Sequence, residues 1–248
     1  KLLDKKERSS KKGKGKKGIK KEHFQCALVG LPNTGKSSLL SSITNAKSKI
    51  TPHPFSTTHP EIGTLDYQGV KAQIIDIPSI GSESFDFSII NSADCLLIVI
   101  NSIKELEIIN SSITKAHGKK IIIFNKIDLL SAEEKRKISA TLKSKKLNAL
   151  TISTITNENI EELKEKILKL MNIIRIYTKL PGKPKSNKPI VLPKNSTVKN
   201  VAEKILKGLS SKIKETHLTG PSSKFPNQRV GLSHVCKDLD TIEFILKL

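Results

Sequence analysis

Residues 24–40 read FQCALVGLPNTGKSSLL, and this stretch decides the fold. An apolar run is followed by GxxxxGK[ST] and then by a second apolar segment, the strand–loop–helix context of a phosphate-binding loop. Glycines let backbone N–H groups close around phosphate oxygens, and the helix that follows adds the positive end of its dipole. The pattern predicts nucleotide contacts from Gly30, Leu31, Pro32, Asn33, Thr34, Gly35, Lys36, Ser37 and Ser38. Lys36 is expected to reach the β- and γ-phosphates and the Ser37 hydroxyl to ligate Mg²⁺. The plain alternative, a glycine turn without a ligand, does not explain why strand and helix flank it.

Two further strand ends carry chemistry. The run QIID at 73–76 delivers one carboxylate, Asp76, before Pro78. Beside a phosphate loop, such an aspartate is expected to serve the magnesium; alone, it would read as a turn cap. The run IIIF at 121–124 leads into NKID at 125–128. A carboxylate can accept from both N1–H and the 2-amino group of guanine, whereas adenine offers no such donor pair. Asp128 is therefore the expected guanine reader, with Asn125 and Lys126 bracing the loops. An ATPase or nucleotide kinase, the rival enzyme class, has no need of this carboxylate.

Outward from these motifs the chain divides by charge. Its 248 residues carry a net charge of +21, with mean hydropathy −0.26. Residues 1–21 hold 11 Lys+Arg against 2 Asp+Glu, residues 173–248 hold 15 against 5, and the middle holds 18 against 16. Lysine bias spread evenly along the chain would not leave the middle balanced, so the flanks are expected to meet a polyanion. Aromatic residues are 4% of the chain, which favours phosphate contacts over base stacking. No apolar run approaches membrane-span length, so no membrane partner is expected. Cys26, Cys95 and Cys236 show no metal-like spacing, and reduced thiols in a cytoplasmic protein are the expectation.

Apolar segments alternate between strand-like and helix-like from 22 to 172, which predicts an α/β fold with a mostly parallel sheet and helices on both faces. SAEE at 131–134 has capping-box form, and Ile160, Leu163, Ile167, Leu170 and Met171 keep helical spacing. Beyond 172 come strand-like segments at 173–179 and 189–193, then a helix over 196–209, and a last strand near 241–248. The apolar face of that helix is expected to hold Val198, Val201, Ala202, Ile205, Leu206 and Leu209, with Lys199, Glu203 and Lys207 facing away. The expected division is a basic tail at 1–21, a nucleotide domain at 22–172 and a small α+β module at 173–248.

GLPNTGKSSLL, then NAKSKITPHPFSTTHPEIGTLDYQGVKAQIIDIP, NKID and TISTITNENIEELKEKI together resemble GTPases of the Obg superfamily, most of all the developmentally regulated GTP-binding (DRG) branch. IYTKLPGK and KFPNQRVGLSHVCKDLDTIE resemble a TGS domain, a ubiquitin-like β-grasp module. The resemblance spans about residues 16–248. It implies GTP binding, GTP hydrolysis, association with the ribosome or its RNA, and a regulatory partner protein. It also implies that Thr57 completes a Mg²⁺ shell, and that the backbone around Ser153 and Thr154 touches the guanine. Asn33 resembles the asparagine by which potassium-activated GTPases hold K⁺, although a turn residue would serve there too. His53 and His59 receive no catalytic role.

Three departures accompany the resemblance. Ser79 stands where the family pattern DxPG has glycine, the link from there to Ala93 is short, and the domain that many DRG relatives insert before the guanine motif is absent. Ile80 stands where many small GTPases keep a water-orienting glutamine. Two readings follow: a slow, Mg²⁺-dependent, K⁺-stimulated GTPase, or a GTP-dependent RNA- or ribosome-binding factor with negligible turnover.

Overall fold

The computed structural model describes residues 24–45 and 59–247. Six strands form the first sheet: β1 (Phe24–Val29), β2 (Glu61–Tyr67), β3 (Val70–Asp76), β4 (Cys95–Ile100), β5 (Lys119–Phe124) and β6 (Ala149–Thr151). Their order is β2-β3-β1-β4-β5-β6. Every pairing is parallel except that of edge strand β2 with β3. The helices between them are α1 (Lys36–Ile43), α2 (Phe87–Ser92), α3 (Glu105–Ser112), α4 (Ala132–Ser144) and α5 (Ile160–Leu170).

The sheet is covered on both faces, as its uninterrupted apolar strands predict. Alternate residues of each strand serve opposite cores. Leu28, Ile74, Leu97 and Ile123 pack with Leu39 and Leu40 of α1 and Leu163 and Ile167 of α5. Ala27, Val29, Ile75, Leu96, Ile98 and Ile100 pack with Ile90 of α2, Ile109 of α3 and Leu142 of α4. Ser131 caps α4 with the predicted capping box to Glu134. β1 lies between β3 and β4, so the chain leaves it to opposite sides. The crevice at the carboxyl ends of such strands is where open α/β sheets bind ligands.

The second sheet has the order β10-β9-β11-β7-β8. It comprises β7 (Ile173–Lys179), β8 (Ile190–Pro193), β9 (Ile213–Thr219), β10 (Gln228–Arg229) and β11 (Thr241–Leu246), with β11 and β7 parallel and the rest antiparallel. Its core gathers Ile174, Ile176, Leu192, Val198, Val201, Leu218 and Ile242.

The helix expected over 196–209 is two helices, α6 (Val198–Ile205) and α7 (Leu209–Lys212). Val198, Val201, Ala202 and Leu209 are buried as expected, but Ile205 and Leu206 are 45% and 57% exposed. The break is at Gly208, whose φ of 82° is a left-handed value that favours glycine. Glu203, expected only to face water, fastens this turn: Oε2 accepts from Gly208 N–H at 2.7 Å, and Oε1 accepts from the Ser210 hydroxyl at 2.5 Å.

The two sheets meet at the β2–β3 turn. Arg175 Nη1 donates to Gln68 Oε1, and a Cβ on Gly69 would lie 2.6 Å from Pro189. Arg175 is itself held by Asp238, with Nη2 2.6 Å from Oδ2 and Nε 3.1 Å from Oδ1. No helix among the described residues is long and apolar enough to cross a membrane. The expected tail at 1–21, together with His53 and Thr57, lies outside the described residues.

Candidate functional site

The chain leaves β1 at Gly30 and enters α1 at Lys36 through a tight loop. A Cβ on Gly30 would sit 2.5 Å from Val99 O, so only glycine fits against β4 there. Gly35 takes φ 91°, and a Cβ on it would sit 2.3 Å from Asn125 Nδ2. Between them, Asn33 adopts φ 60°, and the Thr34 hydroxyl donates to Leu31 O at 3.0 Å. Side chains from the next two strand ends brace this loop. Asn101, after β4, donates to Asn33 O at 3.2 Å, and Asn125, after β5, donates to Thr34 O at 3.0 Å. No acidic side chain occupies the first turn of α1, and no side chain caps it, which suits an anion.

Lys36 is 6% exposed. Its ammonium donates to Gly30 O at 3.3 Å, Leu31 O at 3.1 Å and Ser79 Oγ at 2.8 Å. Burial pushes its pKa down to about 8, against the opposing pull of Asp76. Asp76, at the end of β3, is fully buried. Burial pushes its carboxyl up to about 6, and the hydrogen bond from Ser37 and the charge of Lys36 offset part of this. Ser37 Oγ donates to Asp76 Oδ2 at 2.5 Å, while Oδ1 has no hydrogen-bond partner among the described residues. A buried carboxylate oxygen without a partner is costly unless something binds it. A hydroxyl and an orphaned carboxylate oxygen, side by side at the mouth of an anion-binding loop, are a donor set that fits a hard divalent cation such as Mg²⁺.

The second half of the site lies across the loop. Asn125 is buried, its N–H donates to Ile100 O at 2.8 Å, and Lys126 turns the chain with φ 60°. A single 3₁₀ turn, Ile127–Leu129, then presents Asp128. The buried Ser153 donates its hydroxyl to Asp128 Oδ1 at 2.5 Å. Ser153 Oγ in turn accepts from Ile155 N–H at 3.2 Å and Thr156 N–H at 3.1 Å. Asp128 thus points a half-buried carboxylate in a fixed direction.

Residues 30–38, Asp76, Asn125, Lys126, Asp128, Ser153 and Thr154 all lie on strand ends, loops or helix starts at the carboxyl edge of the first sheet. Reading the sequence alone missed three functions. Asn101 braces the loop, and its signal was a polar residue ending an apolar strand, the same signal that marks Asn125. The Ser153 side chain orients Asp128, a role beyond the backbone contact that the family resemblance implies. Ser79 was visible as a departure from DxPG, but its bond to Lys36 spans 43 positions and leaves no local trace.

Ser222, His234 and Asp240 also cluster, in the second sheet's domain. Ser222 Oγ donates to Asp240 Oδ2 at 2.6 Å and lies 2.9 Å from His234 Nε2. The serine proton goes to the aspartate and not to the imidazole, so this is no activated nucleophile. The fully buried Asp240 also accepts from Ser222 N–H at 3.0 Å and Lys237 N–H at 2.7 Å, a structural knot.

Residues 25–126 match the family model described as 50S ribosome-binding GTPase, and residues 174–246 match the TGS domain model. An uncharacterized GTP-binding protein of Methanocaldococcus jannaschii is 26% identical, with 89% of this chain and 78% of that protein covered. Developmentally-regulated GTP-binding protein 2 of Homo sapiens and its homolog in Dictyostelium discoideum are each 25% identical, with 99% of this chain and 89% of theirs covered. Among solved structures, Aquifex aeolicus Era bound to GDP and AlF4⁻ aligns with a TM-score of 0.52 at 20% identity, covering 79% of this chain and 71% of that one. Era in complex with MgGDPNP and a segment of 16S ribosomal RNA aligns with the same TM-score and coverage at 23% identity. These two structures share the fold.

Proposed function

We propose a specific task for a chain that belongs to the P-loop GTPases and carries a TGS domain: it binds GTP, hydrolyses it to GDP and phosphate, and does so in association with the ribosome. One observation carries the reading. A single braced loop, residues 30–36, lies between the Lys36–Ser37–Asp76 cluster and the Asn125–Asp128–Ser153 cluster. The first suits phosphate and metal, and the second suits guanine.

The geometry supports the following roles. Backbone N–H groups of residues 33–38 and the Lys36 ammonium neutralise phosphate charge, and Asn125 keeps the loop in shape. Asp128, aimed by Ser153, accepts the two guanine donors, with Lys126 and Thr154 beside it. Ser37 and Asp76 would hold Mg²⁺, with Thr57 assigned as a further ligand on the family resemblance alone, and the ion would supply further charge neutralisation on the phosphates. Ile80 presents hydrocarbon, so water attacking the γ-phosphorus is not oriented by that side chain. The exposed carboxamide of Asn33 is open to K⁺, which would neutralise charge without an arginine.

We assign residues 1–21 to a basic tail, 22–172 to the GTPase domain and 173–248 to the TGS domain, with no domain inserted before the guanine motif. Alignment to the Dictyostelium relative supports this: it runs 329 positions yet takes in 99% of 248 residues, leaving about 80 relative residues opposite gaps. Ribosomal RNA is the polyanion assigned to the basic flanks, with a regulatory protein as a further partner. All three cysteines are free thiols, which supports a cytoplasmic setting.

Ile80 and the bond from Lys36 to Ser79 favour one rival, a GTP-dependent RNA-binding factor with negligible turnover. Single-turnover hydrolysis with and without ribosomes separates the two. Ribosome-stimulated phosphate release supports the GTPase cycle, and its absence alongside GTP-dependent co-sedimentation supports the rival. ATP competing as well as GTP for the site would reject both.

A further inference from the structure

Lys36 has three ammonium protons, and all three have acceptors among the described residues. Two are carbonyls of its own loop, at 3.3 and 3.1 Å. The third and shortest is the Ser79 hydroxyl, at 2.8 Å, from a different segment of chain. That segment is also tied to the loop through its backbone, since Ile80 N–H donates to Gly30 O at 3.3 Å. Ser79 is 6% exposed, so water is a poor competitor for the contact. A lysine so satisfied cannot serve a terminal phosphate without releasing a partner. The loop carbonyls are covalently close to Lys36 and move with it. Ser79 follows β3, and these two hydrogen bonds tie its segment to the loop. A glycine at this position would leave the third ammonium proton for the phosphate.

We infer that the Ser79 hydroxyl is a latch on Lys36. It occupies the ammonium when no γ-phosphate is present and is displaced when one arrives, so Ser79 sets the preference between GDP and GTP. This rests on the guanine-nucleotide reading above. Ser79 acts through Lys36 and is a positioning residue, not a catalytic one. Removing the hydroxyl raises the energy of the nucleotide-free and GDP states, in which it serves Lys36. It leaves untouched the GTP state, in which phosphate oxygen takes its place.

The test uses the full chain with saturating Mg²⁺, titrated with GDP and with a non-hydrolysable GTP analogue. Ser79→Ala and Ser79→Gly should each raise affinity for the analogue relative to GDP by about tenfold, the scale of one hydrogen bond to a charged group. Ser79→Thr, which keeps a hydroxyl, should retain the parent ratio, and thermal unfolding confirms that each variant folds. An unchanged ratio in Ser79→Ala overturns the latch. A lowered ratio also overturns it and makes Ser79 a ligand of the γ-phosphate instead. If the parent chain binds neither nucleotide, the guanine-nucleotide reading itself fails, which is distinguishable from both outcomes.

Discussion

The Ser153 hydroxyl donates to Asp128 Oδ1 at 2.5 Å, across 25 positions of sequence. Because Ser153 Oγ also accepts two backbone N–H groups, its proton has one direction open, toward Asp128. The strand end at β6 therefore aims the carboxylate delivered by the strand end at β5.

This relationship predicts a graded loss of guanine binding. Asp128→Asn replaces one acceptor oxygen with a donor and should weaken GDP binding roughly 100-fold or more, since guanine donors are left unpaired. Ser153→Ala leaves the carboxylate but frees its direction, and should cost about tenfold. ATP affinity should change in neither. Equilibrium titration with both nucleotides measures this, and GDP affinity at parental strength in Asp128→Asn would remove the guanine assignment.

A second prediction concerns pH in the absence of nucleotide and Mg²⁺. The Asp76 carboxyl is pushed up to about 6 by burial, whereas an unfolded aspartate titrates near its ordinary ~3.9. The folded state holds the proton more tightly, so this group favours folding below about pH 4, and that contribution is lost as pH rises through about 6. Asp76→Asn should thus be more stable than the parent at pH 8 by about 1–3 kcal/mol, with the difference vanishing near pH 4. Urea melts across this range test it; a pH-independent difference would show that burial does not govern Asp76. The same variant should lose the tightening of nucleotide binding by Mg²⁺.

A third prediction separates cation binding from backbone geometry at Asn33. Its φ of 60° means that Asn33→Ala would introduce strain of about 1 kcal/mol, so loss of activity in that variant is ambiguous. Asn33→Gly keeps the turn and removes the carboxamide. Replacing Na⁺ with K⁺ at constant ionic strength should speed hydrolysis by the parent and leave Asn33→Gly indifferent. Equal parental rates in the two salts would reduce Asn33 to a turn residue.

Ribosomal RNA binding should depend steeply on salt, because the flanks hold 26 of the 44 Lys+Arg residues and few aromatics. Deleting residues 1–21 should weaken co-sedimentation with ribosomes and flatten the salt slope without altering GDP affinity. Reversing the exposed Lys183, Lys185 and Lys188 of the β7–β8 loop should do the same. Lys185 lies 4.8 Å from the centre of the Tyr177 ring, so its reversal should also cost a small amount of stability. Superimposable salt curves for all three proteins would assign these charges to solvated surface.

What was legible in the sequence is what chemistry fixes locally. A phosphate loop must have its glycines, lysine and serine at set intervals, and an apolar strand covered on both faces must read as a continuous run. So β1, β3, β4 and β5 and the residues at their ends were visible. Contacts made across strand ends were not: Lys36 with Ser79, Asn101 with Asn33 and Ser153 with Asp128 are far apart in sequence. β9 escaped because IKETHLT mixes polar and apolar residues without a clean alternation. The break between α6 and α7 escaped because Ile205 and Leu206 continue an apolar periodicity that the backbone abandons.

The placement of the thiols has a practical consequence. Cys26 and Cys95 face each other as register partners on β1 and β4, sealed within the first core, while Cys236 sits in the second. Cys26 is held well above the usual thiol range by its contact with Cys95 and by burial, and burial pushes Cys236 up to about 12. None of these sulfurs can meet an alkylating reagent until the core around it opens. Two thiols time the opening of one core and one thiol times the other. The native chain is thus its own pair of stopwatches: the order in which mass is gained under pulsed alkylation reports which half of the molecule breathes first, with no cysteine added to the chain.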